Sequence, residues 1–291
     1  MNKKVILLGA LLLFFSFTDA QLLWKISGHG LKKPSYLFGT HHLVPLAFLD
    51  SIPGLYKAFN ASETVVGEMA VNNIDATSKI QKAAIMPAHL TIKDLLDEKQ
   101  YQCVDSALKS VLRFGLNEMS VLNPTIILTL YQAELYKKMI SYTDETAADS
   151  YFQIVAEEKG KNIIGLETLD KQMEILFGNG SLKRQAEILA SSVLQTDSMM
   201  QEIVLMNSLY KKGDLQGLYS LSKRKNSAAD MTDDEYIKLV DERNFEWLKQ
   251  LPQLMKNSSC FIAVGALHLA GENGLVEQLR KMGYKVKPIE N

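Results

Sequence analysis

Strand-like apolar runs stand at the two ends of this chain and a long helical stretch lies between them, so any compact fold must bring the ends together. Leu23 to Ser27 alternates and Tyr36-Leu37-Phe38 follows a Gly28-His29-Gly30 turn, which reads as two adjacent strands. Thr64 to Met69 is short and β-branched, as a buried strand would be. Cys260 to Val264 and Tyr284 to Ile289 are the matching runs at the far end, and Asn162 to Glu167 is a lone candidate between. No Pro-, Gly- or Ser-rich linker divides the chain and no short repeat is present. The expectation is one α/β (α+β) domain over residues 21–291. Its mixed β-sheet core comes from the N- and C-terminal segments flanked by helices, and a large helical middle segment covers about 90–255.

The helices have recognisable ends. Helix is expected over Asp50 to Phe59, Lys93 to Leu112, Asn123 to about Met139 and about Glu145 to Glu158. Asn123-Pro124 supplies a cap and a first-turn proline, and Gly160 is a stop. Thr168 to Phe177, Lys183 to Tyr210, Asp214 to Lys223 and Glu272 to Met282 follow the same periodicity. Thr232 with Glu235 forms a capping box ahead of a helix running through Trp247 towards Leu251. The Met and Leu residues of the middle stand at helical spacing and serve as core.

The N-terminus reads as an export signal. Lys3 and Lys4 precede the apolar run Val5 to Phe17, and Thr18-Asp19-Ala20 places a small residue at the cleavage point. That run is shorter than the ~20 residues a membrane-spanning helix needs. Cleavage after Ala20 would place the protein in the periplasm or outside the cell. Export would also remove two lysines and one aspartate, taking the net charge from −1 to −2. Such a balance argues against nucleic acid as partner. Cys103 and Cys260 remain in the exported chain. They are either a disulfide or two separate thiols.

Two turns carry the chemistry. Gly39-Thr40-His41-His42 and Gly265-Ala266-Leu267-His268 each set a histidine three residues past a glycine, at the end of an apolar strand. Strand ends are where open α/β sheets bind ligands, and neutral imidazole is a common metal ligand. The competing reading is a pair of hydrogen-bonded loop or core histidines. Symmetry with His268 selects His42 over His41, while His29 and His89 lack such a pattern. Glu68 and Glu167 each follow an apolar run. A carboxylate there is costly unless paired or ligating, although Glu167 could instead serve the first turn of the next helix. On the helix after Thr232, Asn244 falls near the centre of the apolar stripe and Arg243 at its edge, so both need partners. Arg243 could pair with a site carboxylate or hold an anionic group. The glycine-containing turn after His268, with Gly271 and Gly274, has no phosphate-loop pattern.

These residues resemble the TraB/GumN family, which is related to the Tiki metalloproteases. The similarity runs through Tyr36-Leu37-Phe38-Gly39-Thr40-His41-His42, Val66-Gly67-Glu68, Gly165-Leu166-Glu167-Thr168 with Gln172, Glu242-Arg243-Asn244 with Trp247, and Ala263 to Gly271, closing on Gly283 to Val286. The resemblance implies metal-dependent hydrolysis, most naturally of a peptide, with a divalent ion: manganese, cobalt or zinc. Carried over by motif, His42, His268 and Glu68 would be the metal or catalytic residues. Arg243 would match the family's basic position, and Gly39, Glu167, Asn244, Gly265 and Gly271 would support substrate or structure. Two alternatives stand beside it: a peptide-binding or regulatory module of the same fold, and a metal- or haem-binding protein, for which no axial-ligand motif is present.

Overall fold

The computed structural model describes residues 21–70, 76–140 and 147–290. The expected export signal, 1–20, lies outside the described residues. Strands β1 (Leu23–Ser27), β2 (Ser35–Thr40), β3 (Thr64–Gly67), β4 (Asn162–Gly165), β5 (Cys260–Gly265) and β6 (Lys285–Pro288) form one mixed sheet in the order β4-β3-β5-β2-β1-β6. β4, β3, β5 and β2 run parallel, and β1 is antiparallel to both β2 and β6. The central β3 and β5 are buried along almost their whole length, which is why they read as unbroken apolar runs. β6 buries Val286 and exposes Lys285 and Lys287, a charged edge that discourages further pairing.

Helices are α1 (Leu55–Ala61), α2 (Ala76–Ala83), α3 (Glu98–Leu112), α4 (Pro124–Ile140), α5 (Ala148–Glu158) and α6 (Leu169–Gly178), followed by α7 (Leu182–Leu194), α8 (Thr196–Lys211), α9 (Leu215–Ser222), α10 (Asp233–Tyr236), α11 (Glu242–Asn257) and α12 (Leu275–Lys281). The sheet core is aromatic: Phe152 packs on Phe261 at 4.8 Å, with Phe38 and Phe59 against the same pair. A second core, separate from it, joins α3, α4 and α7 through Val104, Leu108, Ile127, Ala186 and Leu189.

Two expectations change, and the open question of the cysteines closes. The stretch from Lys183 to Tyr210 is two helices, because Gln195 leaves helical geometry between α7 and α8. The region expected as helix from Asp50 begins in a 3-10 turn, Leu46–Ser51, and α1 starts after Gly54. Cys103 and Cys260 are not bridged. Both are free thiols, Cys103 half-buried on α3 and Cys260 fully buried at the start of β5 in the sheet core. Among the described residues, no helix is long and apolar enough to cross a membrane.

Candidate functional site

The parallel strands end on one edge of the sheet, and the chemistry-bearing residues follow them in spatial order. Glu167 comes after β4, Glu68 after β3, His268 after β5, and His41-His42 after β2. Backbone pairing between β3 and β4 continues past the strands, since Glu167 N–H donates to Glu68 O at 2.8 Å. The two glutamates therefore leave the sheet side by side. Across from them β2 and β5 are in register, Thr40 opposite Gly265, so the two Gly-x-x-His turns adjoin. A Cβ on Gly39 would lie 3.0 Å from Ala266 Cα and 3.2 Å from Leu269 Cδ2. Gly39 is thus the residue that lets the second turn pack on the first. Replacing it with valine should destabilise the fold by about 1–3 kcal/mol through overpacking; an unchanged midpoint in chemical denaturation would refute the tight contact. Gly271 has a φ of 80° and faces the Tyr219 ring, so its turn requires glycine twice over.

The helix bearing Arg243 is aimed by its start. Thr232 and Glu235 form the expected capping box, and Glu235 also takes a two-bond ion pair from Arg184, at 2.8 and 3.1 Å. The π turn Ile237–Asp241 then precedes α11. A π turn adds a residue to one helical turn and so rotates the face that follows. Arg243, Asn244 and Trp247 all become buried, whereas the straight-helix reading left Arg243 at the edge.

Arg243 is the hub. Its Nε donates to Glu167 Oε1 at 2.8 Å, and its Nη2 donates to Glu68 Oε2 at 2.6 Å and Glu167 Oε2 at 3.0 Å. Nη1 lies 3.2 Å from Leu239 O and 3.1 Å from His268 Nε2. A guanidinium has five N–H donors, and here all five are used. Arg243 is therefore an anchor, without a donor left for a developing oxyanion. Trp247 Nε1 donates to Glu167 Oε1 at 2.9 Å, and its ring lies 4.3 Å from that of His268. Gln172 Nε2 donates to Glu68 Oε2 at 3.2 Å. The sequence reading places Trp247 on the apolar stripe of its helix and Gln172 only within the resemblance, and neither as a site residue. Their signal as site residues was position: Trp247 is one helical turn past Arg243, and Gln172 is in the first turns after Glu167.

Glu68 is the partly exposed member, with 19% of its side chain accessible. Burial opposes its ionisation, but His268 when protonated, the Arg243 guanidinium and the Gly265 N–H at 2.8 Å together pull its carboxyl down to about 2. His268 is pushed down to about 4, chiefly by burial, with Glu68 opposing and Arg243 reinforcing. At neutral pH the pair is therefore a carboxylate and a neutral imidazole, with His268 Nε2 3.8 Å from Glu68 Oε1. His42 is exposed, so its sequence equivalence with His268 does not extend to burial. His41 is the more enclosed of the two. Its Nδ1 accepts from Leu43 N–H at 3.0 Å, its ring sits on Tyr210, and its Nε2 is buried without a hydrogen-bond partner among the described residues. Burial, then the neighbouring His42, lowers His41 to about 4.

These shifts have a sign. Histidines held at about 4 in the folded state stabilise it fully above their ordinary 6.5, and lose that contribution as pH falls towards 4. The unfolding midpoint should therefore drop between those values, and His41→Gln should shrink the drop. A flat profile across that window would contradict the burial of both rings.

A divalent ion needs several converging donors. Among the described residues, no group of three or more His, Cys, Asp and Glu is so placed. The two donors that do converge, Glu68 and His268 Nε2, both already accept from Arg243. The guanidinium holds the place a cation would take, so the donor set as arranged does not fit a metal. On the flank of the network, Glu167 and Arg243 reach a cleft of about 820 Å³ between α6 and α11, with Lys171, Ile175 and Phe245 on its walls.

The model of the TraB/PrgY/gumN family matches residues 22–288. The chain belongs to this family. Among curated proteins it is similar to Metalloprotease TIKI2 of Danio rerio, at 23% identity over 316 residues, covering 91% of this chain and 60% of that protein. It is also similar to the Metalloprotease TIKI homolog of Amphimedon queenslandica, at 22% over 320 residues, covering 94% of this chain and 62% of that protein. The chain thus spans about three-fifths of the length of these relatives. No solved structure gives a significant match.

Proposed function

We propose that this TraB/PrgY/gumN family member is a hydrolase acting on peptides, with His268 and Glu68 as its catalytic pair. The observation that carries the reading is a neutral imidazole beside an ionised, partly exposed carboxylate, 3.8 Å apart at the sheet edge. His268 takes a proton at Nε2 from the water that attacks the peptide carbonyl, and returns it to the leaving amine nitrogen as the C–N bond breaks. The Arg243 Nη1–H gives up its contact with Nε2 as the proton arrives, and Nη1 keeps Leu239 O. The imidazolium then lies against the Glu68 carboxylate, which offsets its charge. Arg243 and Gly265 N–H hold Glu68 in place. The peptide substrate class comes from the metalloproteases to which the chain is similar. Export to the periplasm or beyond is part of the same proposal, because residues 1–20 carry the pattern of a signal peptide.

The test is cleavage of a broad peptide library by the chain from Gln21, in chelator and with manganese, cobalt or zinc supplied. Turnover that survives chelation is the expected result. Turnover only with added metal would overturn the step through His268 as written, since a cation would then have to displace the guanidinium. Peptide binding without cleavage in any buffer would replace the hydrolase with a binding module.

A further inference from the structure

We propose that Asn244 is a positioning residue that locks His268 in its Nδ1–H tautomer, so that a bare Nε2 faces Arg243 and Glu68. The catalytic consequence rests on the hydrolase reading above. The tautomer itself rests on geometry alone.

The lock is read from donors and acceptors. Asn244 Nδ2 lies 3.1 Å from His268 O and 2.9 Å from Asn273 O. Two carbonyl oxygens can only accept, so the amide nitrogen must be the atom that faces them, and both its N–H groups are used. The opposite amide orientation would set an oxygen against two oxygens. Asn244 Oδ1 therefore points the other way, to His268 Nδ1 at 2.8 Å. Because Oδ1 can only accept, Nδ1 carries the proton.

The far end of the ring selects the same tautomer. Nε2 faces the Arg243 Nη1 donor at 3.1 Å, and a second N–H there would set donor against donor. Asn244 is fully buried and His268 is 5% exposed, so water has little room to relieve a wrong choice. Asn273 is itself tied, donating from Nδ2 to Asp241 Oδ2 at 3.0 Å. That bond ties down Asn273, whose backbone carbonyl helps fix the Asn244 amide. The nitrogen of an imidazole that stays reactive is decided by the bond its other nitrogen makes.

The readout is the protonated nitrogen of His268, seen in long-range proton–nitrogen correlation spectra of histidine-labelled protein at neutral pH. His268 is assigned by the signals that His268→Gln removes. The wild type should show Nδ1–H with Nε2 bare. Asn244→Leu, close in volume but without an acceptor, should lose that single tautomer. It should also lower kcat about tenfold to a hundredfold at unchanged KM, in proportion to a lost orienting bond. Asn244→Asp keeps an acceptor towards Nδ1, and its second oxygen, once protonated, can donate to the His268 or Asn273 carbonyl, so Nδ1 should stay protonated. A wild-type Nε2–H tautomer, or an Asn244→Leu protein with its tautomer unchanged, would overturn the proposal. If Asn244→Leu does not fold, the wild-type and Asn244→Asp spectra decide it. An absence of turnover in the wild type would remove the hydrolase and leave the spectra to judge the lock.

Discussion

Arg243→Leu should cost the fold about 3–5 kcal/mol, because it strips the cation from a buried cluster while leaving the anions in place. Glu167 has a side chain 6% exposed, and Glu68 one 19% exposed. Both accept charge-assisted bonds from the same guanidinium, and His268 Nε2 and Leu239 O lose donors as well. Water can reach Glu68 from one side but has little access to Glu167, so the larger share of the cost falls on Glu167. A second change, Glu167→Gln, should therefore return part of the loss when added to Arg243→Leu, since a neutral amide can face Trp247 without an unpaired charge. Chemical denaturation of the two single variants and the double variant measures this coupling. A loss below about 1 kcal/mol for Arg243→Leu would mean that the cluster is open to solvent, as weakly held surface pairs are.

Glu68→Gln should lower kcat by about 10²–10³-fold, the range for losing a preorganised electrostatic partner of the transition state. The amide keeps the size of the side chain and can still accept from Gly265 N–H. What it lacks is the charge that offsets an imidazolium at His268. Turnover should fall, while peptide affinity should hold. A fall in affinity with kcat unchanged would place Glu68 in binding instead.

Much of this arrangement was legible because strand ends announce themselves. Gly39, Gly67, Gly165 and Gly265 each close an apolar run, and the residues that carry charge or imidazole follow within three positions. Parallel pairing of those runs is enough to put Glu167, Glu68 and His268 on one edge. The pairing of Arg243 with both glutamates was only partly legible, since the π turn before α11 rotates the helix face and no periodicity marks it. The two histidines after Gly39 could not be ranked by motif spacing. Spacing selects His42, whereas burial against Tyr210 belongs to His41, and only the packing of α8 on that turn reveals it. The saturation of Arg243 was equally hidden. A sequence shows that a guanidinium needs partners, but the number it finds depends on backbone carbonyls such as Leu239 O and on where His268 turns. The state of the two cysteines was open in the sequence, because two cysteines give no spacing framework. Two thiols in a chain with an export pattern invite a bridge, yet each is placed by a different layer of the fold.

Peptide turnover by wild type and His268→Gln, compared at equal concentrations of folded protein, is the most direct test. The wild type should cleave, and the variant should lose about 10²–10⁴-fold. Equal turnover by the two proteins would contradict it, and would move the chemistry away from the Glu68–Arg243–His268 cluster.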